Sequence, residues 1–271
     1  MTDFDRRLRH HPGPGGAPRP PRPTRIDVGT AAPDPNRPDA TGAAGHPGSG
    51  SDPAQSRLAG YYRDRAPEYD RIYQKPERQE DLAKLEALVQ RWVTGRNVLE
   101  LACGTGWWTQ VMARSARSVT ATDLNQSVLE IAGRREYGRT PVTFRIADAW
   151  NLHDIPGVFD CVFAGFWISH LRRERIREFL DSLDDRLGLG GRVVLLDNRF
   201  VEGSSTPISR TDEHGDTFQI RRLDDGREFE VLKNFFGKSD LMHLLDAPSR
   251  FVELKEMPHY WAAVYDRGTP G

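Results

Sequence analysis

The sequence predicts an α/β domain built on a mostly parallel sheet with helices on both faces, preceded by a leader without structure. Three observations carry this reading. From residue 77 to 197, apolar runs of strand length alternate with segments of helical period. The first 53 residues hold 11 of the 19 prolines and 8 of the 25 glycines, with Phe4 as their only aromatic residue. The other 218 residues hold all six tryptophans and all seven tyrosines, enough for one core that buries roughly 70% of its unfolded surface.

Residues 1–53 cannot bury enough apolar surface to offset chain ordering, so they read as a disordered leader to a folded domain at 54–271. Residues 55–74 and 77–94 read as two helices of an N-terminal cap at 54–94, separated near Lys75 and Pro76. In the second helix Leu82, Leu85, Leu88, Val89, Trp92 and Val93 recur at three- and four-residue steps, and Gly95 can close it. A strand at 97–102 leads through Gly104 and Gly106 into a helix reaching about residue 115. Strands at 118–122 and 142–146 flank a helix at 126–137. Residues 159–166 are nearly all apolar, as befits a strand covered on both faces. A helix with Leu171, Ile176, Phe179, Leu180, Leu183 and Leu187 on one side precedes a fifth strand at 191–197. There the rhythm breaks. Segments 217–223 and 228–233 flank Gly226, a hairpin signal that predicts an inserted lid at 200–236. A helix at 239–246 and strands at 250–256 and 259–265 follow, the two strands close enough in sequence to pair antiparallel.

Charge narrows the partners. Lys and Arg total 38 against 39 Asp and Glu, or 31 against 33 without the leader. A nucleic-acid-binding domain needs a basic excess or cluster, and the sequence has neither. The RERIRE segment at 173–178 alternates in sign on a helix and reads as a solvated face. Cys103 and Cys161 are too few for a disulfide scaffold and lack metal-ligand spacing. No apolar run approaches the roughly 18–20 residues that a bilayer demands. The leader lacks the apolar segment of a secretory signal, and its prolines forbid the amphipathic helix of a transit peptide. The expectation is a cytoplasmic protein with reduced thiols and neither nucleic acid nor membrane as partner.

Chemistry concentrates in residues 98–109, VLELACGTGWWT. A strand feeds a glycine-containing turn and a helix starts at once, so a ligand can approach the backbone closely. Asp123 stands 17 residues beyond Gly106, at the end of the next strand, where a carboxylate can accept both hydroxyls of a ribose. A dinucleotide fingerprint needs a third glycine where Thr109 stands, and the glycine–lysine phosphate cradle is absent. Glu100, inside the strand, would repel a pyrophosphate and suit a ligand with an amino group. S-adenosylmethionine fits that description: a ribose diol, an α-amino acid and a sulfonium, with no phosphate.

These residues resemble the class I S-adenosylmethionine-dependent methyltransferases, whose Rossmann-like fold has the same order of elements. The family motif [DE]-x-G-x-G-x-G falls on residues 100–106, ELACGTG, with Ala102 in place of the first glycine. Its ribose-binding acid falls on Asp123, and its adenine-contacting acid on Asp148 within IADAW at 146–150. The resemblance covers about 57–200 closely and 237–266 in outline. It implies an enzyme that moves a methyl group from S-adenosylmethionine to a small, partly apolar or aromatic metabolite at O, N or C. The opening with Tyr61, Tyr62, Arg65 and Tyr69 resembles the branch containing quinone C-methyltransferases, in which tyrosines close over the methionine end of the cofactor. The implied cofactor-binding set is Tyr61, Tyr69, Glu100, Ala102, Gly104, Gly106, Asp123, Leu124, Asp148, Ala149 and Phe166. The alternative is a protein that binds the cofactor as sensor or scaffold without transfer.

His170, closing FWISH at 166–170, follows a strand near the sheet edge where ligands of open α/β folds bind. It can serve as a general base, or touch cofactor or backbone without moving a proton. Asp197 and Asn198 resemble the Mg²⁺-binding pair of catechol O-methyltransferases, but the further carboxylate that family supplies is missing from AGFW at 164–167. No metal is therefore expected, and Asp197 is left to orient substrate or a lid group.

Overall fold

The computed structural model describes residues 25–27, 53–246 and 250–267. β1 (Arg25–Asp27) lies within the segment expected to be disordered, and the rest of that leader up to residue 52 is outside the described residues. α1 (Pro53–Arg65) stops because Pro67 has no N–H to offer and disfavours helical backbone at Ala66. The single helix expected over 55–74 is thus two pieces, the second a 3₁₀ stretch over Ala66–Gln74. After a 3₁₀ turn at Pro76–Arg78, α2 (Gln79–Val93) buries Leu82, Leu85, Val89, Trp92 and Val93.

The alternation follows as β2 (Asn97–Leu101), α3 (Trp107–Met112), β3 (Ser118–Asp123), α4 (Gln126–Ala132) and β4 (Val142–Ile146). β5 (Phe159–Gly165), α5 (Ile176–Asp185) and β6 (Leu187–Asn198) complete it. α3 and α4 are shorter than their patterns suggest. Past Met112 and Ala132 the amides of Ser115 and Arg135 bond three residues back, which tightens each helix into turns. β7 (Arg210–Thr211), β8 (Thr217–Arg222) and β9 (Glu228–Leu232) form a small antiparallel sheet, with Gly226 at φ +88 in the β8–β9 turn. α6 (Lys238–Leu245), β10 (Arg250–Glu256) and β11 (Tyr260–Arg267) follow.

The large sheet has the order β1-β4-β3-β2-β5-β6-β11-β10. All its pairs are parallel except β6–β11 and β11–β10. β1 adds itself to the outer edge of β4, whose N–H and C=O groups would otherwise face outward unpaired. Alternate side chains feed two cores. Val98, Cys161, Phe163, Val194 and Leu196 face α2 and α3, while Leu99, Val162, Ala164, Val193 and Leu195 face α5 and α6. From β2 the chain runs outward to β3 and β4, then returns to place β5 on the other side. That reversal between β2 and β5 opens a crevice at their carboxyl ends. Above it, Leu58 and Tyr61 of α1 pack on Leu223 and Val231 of the small sheet. Among the described residues no helix is long and apolar enough to cross a membrane, and both cysteines are free and buried.

Candidate active site

Past Leu101 the backbone turns through Ala102 (φ 50), Gly104 (φ 54) and Gly106 (φ 81) before α3 begins. All three are left-handed, so Ala102, which replaces the motif's first glycine, carries a strain of about 1–2 kcal/mol. The two glycines do different work. A Cβ on Gly106 would stand 2.7 Å from Tyr137 Oη and 2.9 Å from Ala132 Cβ, so this glycine lets α4 pack against the turn. A Cβ on Gly104 would meet nothing nearer than Tyr69 Cε1 at 3.9 Å. Its open side faces the crevice.

The crevice is a cavity of about 250 Å³. Of the expected cofactor residues, Tyr69, Ala102, Gly104, Asp123, Leu124, Asp148, Ala149 and Phe166 line it, joined by Tyr62 and His170. Asp123 accepts the Gly104 N–H on Oδ2 and the Asn125 N–H on Oδ1, each at 2.9 Å. Burial pushes its carboxyl above the usual range, and those backbone donors hold the rise in check. Asp148 accepts the Trp150 N–H at 2.9 Å. Thr105 Oγ1 donates to Asp70 at 2.5 Å, and Arg135 pairs with the same carboxylate. That network fastens the 3₁₀ stretch bearing Tyr69 to the glycine turn. A carboxylate for a diol, apolar flanks at Leu124, Ala149 and Phe166, and tyrosines at the far end fit a nucleoside with an amino-acid tail.

Three expected residues lie outside that wall. Glu100 is 1% exposed and its Oε2 accepts from Thr109 Oγ1 at 2.5 Å. Burial pushes its carboxyl up to about 8, and it braces α3 from behind the cavity. Gly106 serves packing, as above. Tyr61 is turned into the α1–small-sheet contact, because its helical neighbour Tyr62 takes the inward direction.

His170 is 3% exposed and tied at both nitrogens. Nδ1 lies 2.7 Å from the Leu232 carbonyl, which only accepts, so Nδ1 carries the hydrogen. Nε2 therefore accepts from Tyr62 Oη at 2.8 Å. Burial, then the charge of Lys233, pulls the imidazole down to about 3. Of the two expected readings, a neutral ring engaged at both nitrogens fits contact without proton transfer better than general-base work.

A second cavity of about 90 Å³ adjoins the first and shares Tyr62, Tyr69, Phe166 and His170 with it. Arg65, Lys75, Arg78, Arg221 and Lys233 all contribute to its wall. Sequence reasoning missed these five, since they come from separate segments and each reads alone as a surface cation. Asp197 accepts Lys233 Nζ at 2.8 Å and the Ser169 N–H at 3.1 Å. Burial opposes its ionisation, but Lys233 and Ser169 outweigh that and keep the carboxyl below its usual range. Among the described residues no cluster of three His, Cys, Asp or Glu side chains is placed to hold a metal.

A strand–turn–helix crevice at a topological switch point, with an acid at the end of the neighbouring strand, defines a nucleoside-cofactor enzyme of Rossmann-like fold. Comparison with known proteins is more specific. Residues 98–191 match the family described as a methyltransferase domain. The chain is 30% identical to DhpI in its SAH complex, covering 79% of this chain and 97% of that one with a TM-score of 0.63. Against the DhpI-SAM-HEP complex the identity is again 30%, the coverage 78% and 97%, and the TM-score 0.64. A demethylmenaquinone methyltransferase of Clavibacter sepedonicus is 35% identical over 116 residues, 43% of this chain and 44% of that protein. The mitochondrial ubiquinone biosynthesis O-methyltransferase of Schizosaccharomyces pombe is 31% identical over 113 residues, 38% of each chain. The match therefore spans less than half the length of these two curated relatives. The chain belongs to the class I S-adenosylmethionine-dependent methyltransferases.

Proposed function

We propose that this chain transfers a methyl group from S-adenosylmethionine to a small metabolite seated in the second cavity. One observation carries the reading: the two cavities meet at Tyr62, Tyr69, Phe166 and His170, so ligands in each would face one another. Bound S-adenosylmethionine would supply an electrophilic methyl on a sulfonium. Asp123, pre-oriented by the Gly104 and Asn125 amides, holds the ribose hydroxyls, and Leu124, Ala149 and Phe166 flank the base. Tyr62 and Tyr69 stay protonated, since burial pushes Tyr69 up to about 12 and Tyr62 well above the usual phenol range. Holding donor and acceptor in line supplies roughly 7–11 kcal/mol of the barrier. His170 fixes the Tyr62 ring at the junction.

The test is incubation with methyl-labelled S-adenosylmethionine and a metabolite extract, with S-adenosylhomocysteine binding followed by calorimetry. Label appearing in a small molecule supports the reading. Retained binding with no transfer to any fraction would make the protein a sensor. Thermal stabilisation by NAD in place of S-adenosylhomocysteine would overturn the cofactor.

A further inference from the structure

The second cavity is unusual in its charge. The domain carries two more acidic than basic residues, yet five cations converge on this one small chamber. Lys233 is matched by Asp197. The other four hydrogen-bond to no described carboxylate: their hydrogen bonds end on neutral oxygens. Lys75 Nζ donates to the Ser204 carbonyl at 2.5 Å. Arg78 donates to Ser204 Oγ at 3.0 Å and Asn198 Oδ1 at 3.1 Å. Arg221 donates to Thr206 Oγ1 at 3.0 Å and Gln219 Oε1 at 2.6 Å, and Arg65 to the Tyr61 hydroxyl. Glu77, the nearby acid, is exposed, accepts from Ser204 Oγ, and offsets part of the charge of Lys75 and Arg78.

Resting on the methyl-transfer reading, we propose that the acceptor is a small oxyanion, a carboxylate or a phosphoryl group, and that the methyl goes to its anionic oxygen. Two of these cations, Arg78 and Lys233, are buried and the other three half-buried, so they repel one another and lose hydration, an arrangement that favours whatever anion completes it. Burial already pushes the Arg221 guanidinium and the Lys75 ammonium below their usual ranges, a shift that a bound anion would reverse. Size agrees. A cavity of about 90 Å³ has room for roughly six to nine water-sized groups, with Tyr73 and Tyr260 to flank a short organic body.

An anionic acceptor needs no general base, in keeping with a His170 ring engaged by Leu232 and Tyr62. A lone pair of the acceptor oxygen forms the new O–C bond as the methyl–sulfur bond breaks, and that bonding pair remains on sulfur. One negative and one positive charge disappear together, and no proton moves.

The experiment titrates inorganic phosphate and acetate, separately, into the full chain loaded with S-adenosylhomocysteine, in chloride buffer of matched ionic strength. One saturable site is expected for at least one probe, phosphate alone pointing to a phosphoryl acceptor and acetate alone to a carboxylate. Lys75→Met and Arg221→Met should each weaken it tenfold or more, Arg221→Lys should recover most of the loss, and S-adenosylhomocysteine affinity should stay within twofold. Cofactor-product binding with no saturable heat from either anion, or anion binding unchanged in both Met variants, overturns the oxyanion proposal and leaves methyl transfer standing. Anion binding without any S-adenosylhomocysteine binding keeps the anion site and removes the transfer reading.

Discussion

Replacing Lys233 by Met leaves Asp197 as an unpaired charge in the interior. The two side chains are 4% and 0% exposed and meet at 2.8 Å, so solvent can do little to screen the loss. Removing one partner of such a pair costs about 3–5 kcal/mol. Asp197 keeps its bonds from the Ser169 and Asn198 amides, which places the expectation at the lower end, about 3 kcal/mol. For a domain of this size that is roughly 6–12 °C in melting temperature. Urea unfolding followed by fluorescence measures it directly. In the wild type the lowered Asp197 pKa contributes stability above the unfolded value of about 3.9 and loses it as pH falls through the native one. In Lys233→Met the sign reverses. Asp197 now titrates above its unfolded value, so the deficit grows as pH rises and is smaller at pH 5 than at pH 8. Adding Asp197→Asn should recover most of the loss. A deficit below 1 kcal/mol, or a double variant no more stable than the single, would refute the reasoning that the pair is a buried charge balance.

Asp123→Ala should weaken S-adenosylhomocysteine at least tenfold by calorimetry, since each lost hydrogen bond to a charged acceptor costs about 1.5–3 kcal/mol. Gly106→Ala should lower stability by about 2 kcal/mol or more in urea, combining left-handed strain with overpacking on Tyr137 and Ala132. Gly104→Ala should lose only the strain, about 1 kcal/mol, because its Cβ finds open space. With His170 held near 3 and neutral, the wild-type rate should be flat between pH 6 and 8, and His170→Gln should keep the profile flat with a reduced rate. A rate that climbs through one ionisation near 6.5 in the wild type, and loses that step in the variant, would restore the base.

Elements whose side chains alternate between two neighbours were legible from the sequence. β5 falls at 159–165 as a nearly continuous apolar run because both its faces are covered, while β4 at 142–146 alternates because only Val142 and Phe144 face a core. Two acids on the cavity wall were legible too, since Asp123 ends β3 and Asp148 stands two residues past β4. Direction was harder to read. Glu100 and Tyr61 stand in the right segments, but pleat and helix phase turn their side chains away from the cavity. The charged chamber was beyond reach, because it forms only when residues 65–78 meet residues from 198 to 235 across the fold. No local period records such a meeting. Pro67 was a different kind of miss: the residue was in plain view, and its effect on α1 was passed over for the stronger apolar pattern around it.

Ala102 and Phe166 stand at the ends of neighbouring strands, one on each side of the crevice, and both are left-handed without being glycine. Glycine would relieve the backbone strain at both. At Ala102 that exchange removes one methyl group. At Phe166 it would also remove the aromatic partition shared by the two chambers and open a path for water between them. The Phe166 ring also packs on Tyr73, Trp108 and Tyr260, contacts whose loss at about 3–5 kcal/mol exceeds the roughly 1–2 kcal/mol of strain relieved, so a heat-resistance screen would accept glycine at Ala102 and keep the partition at Phe166.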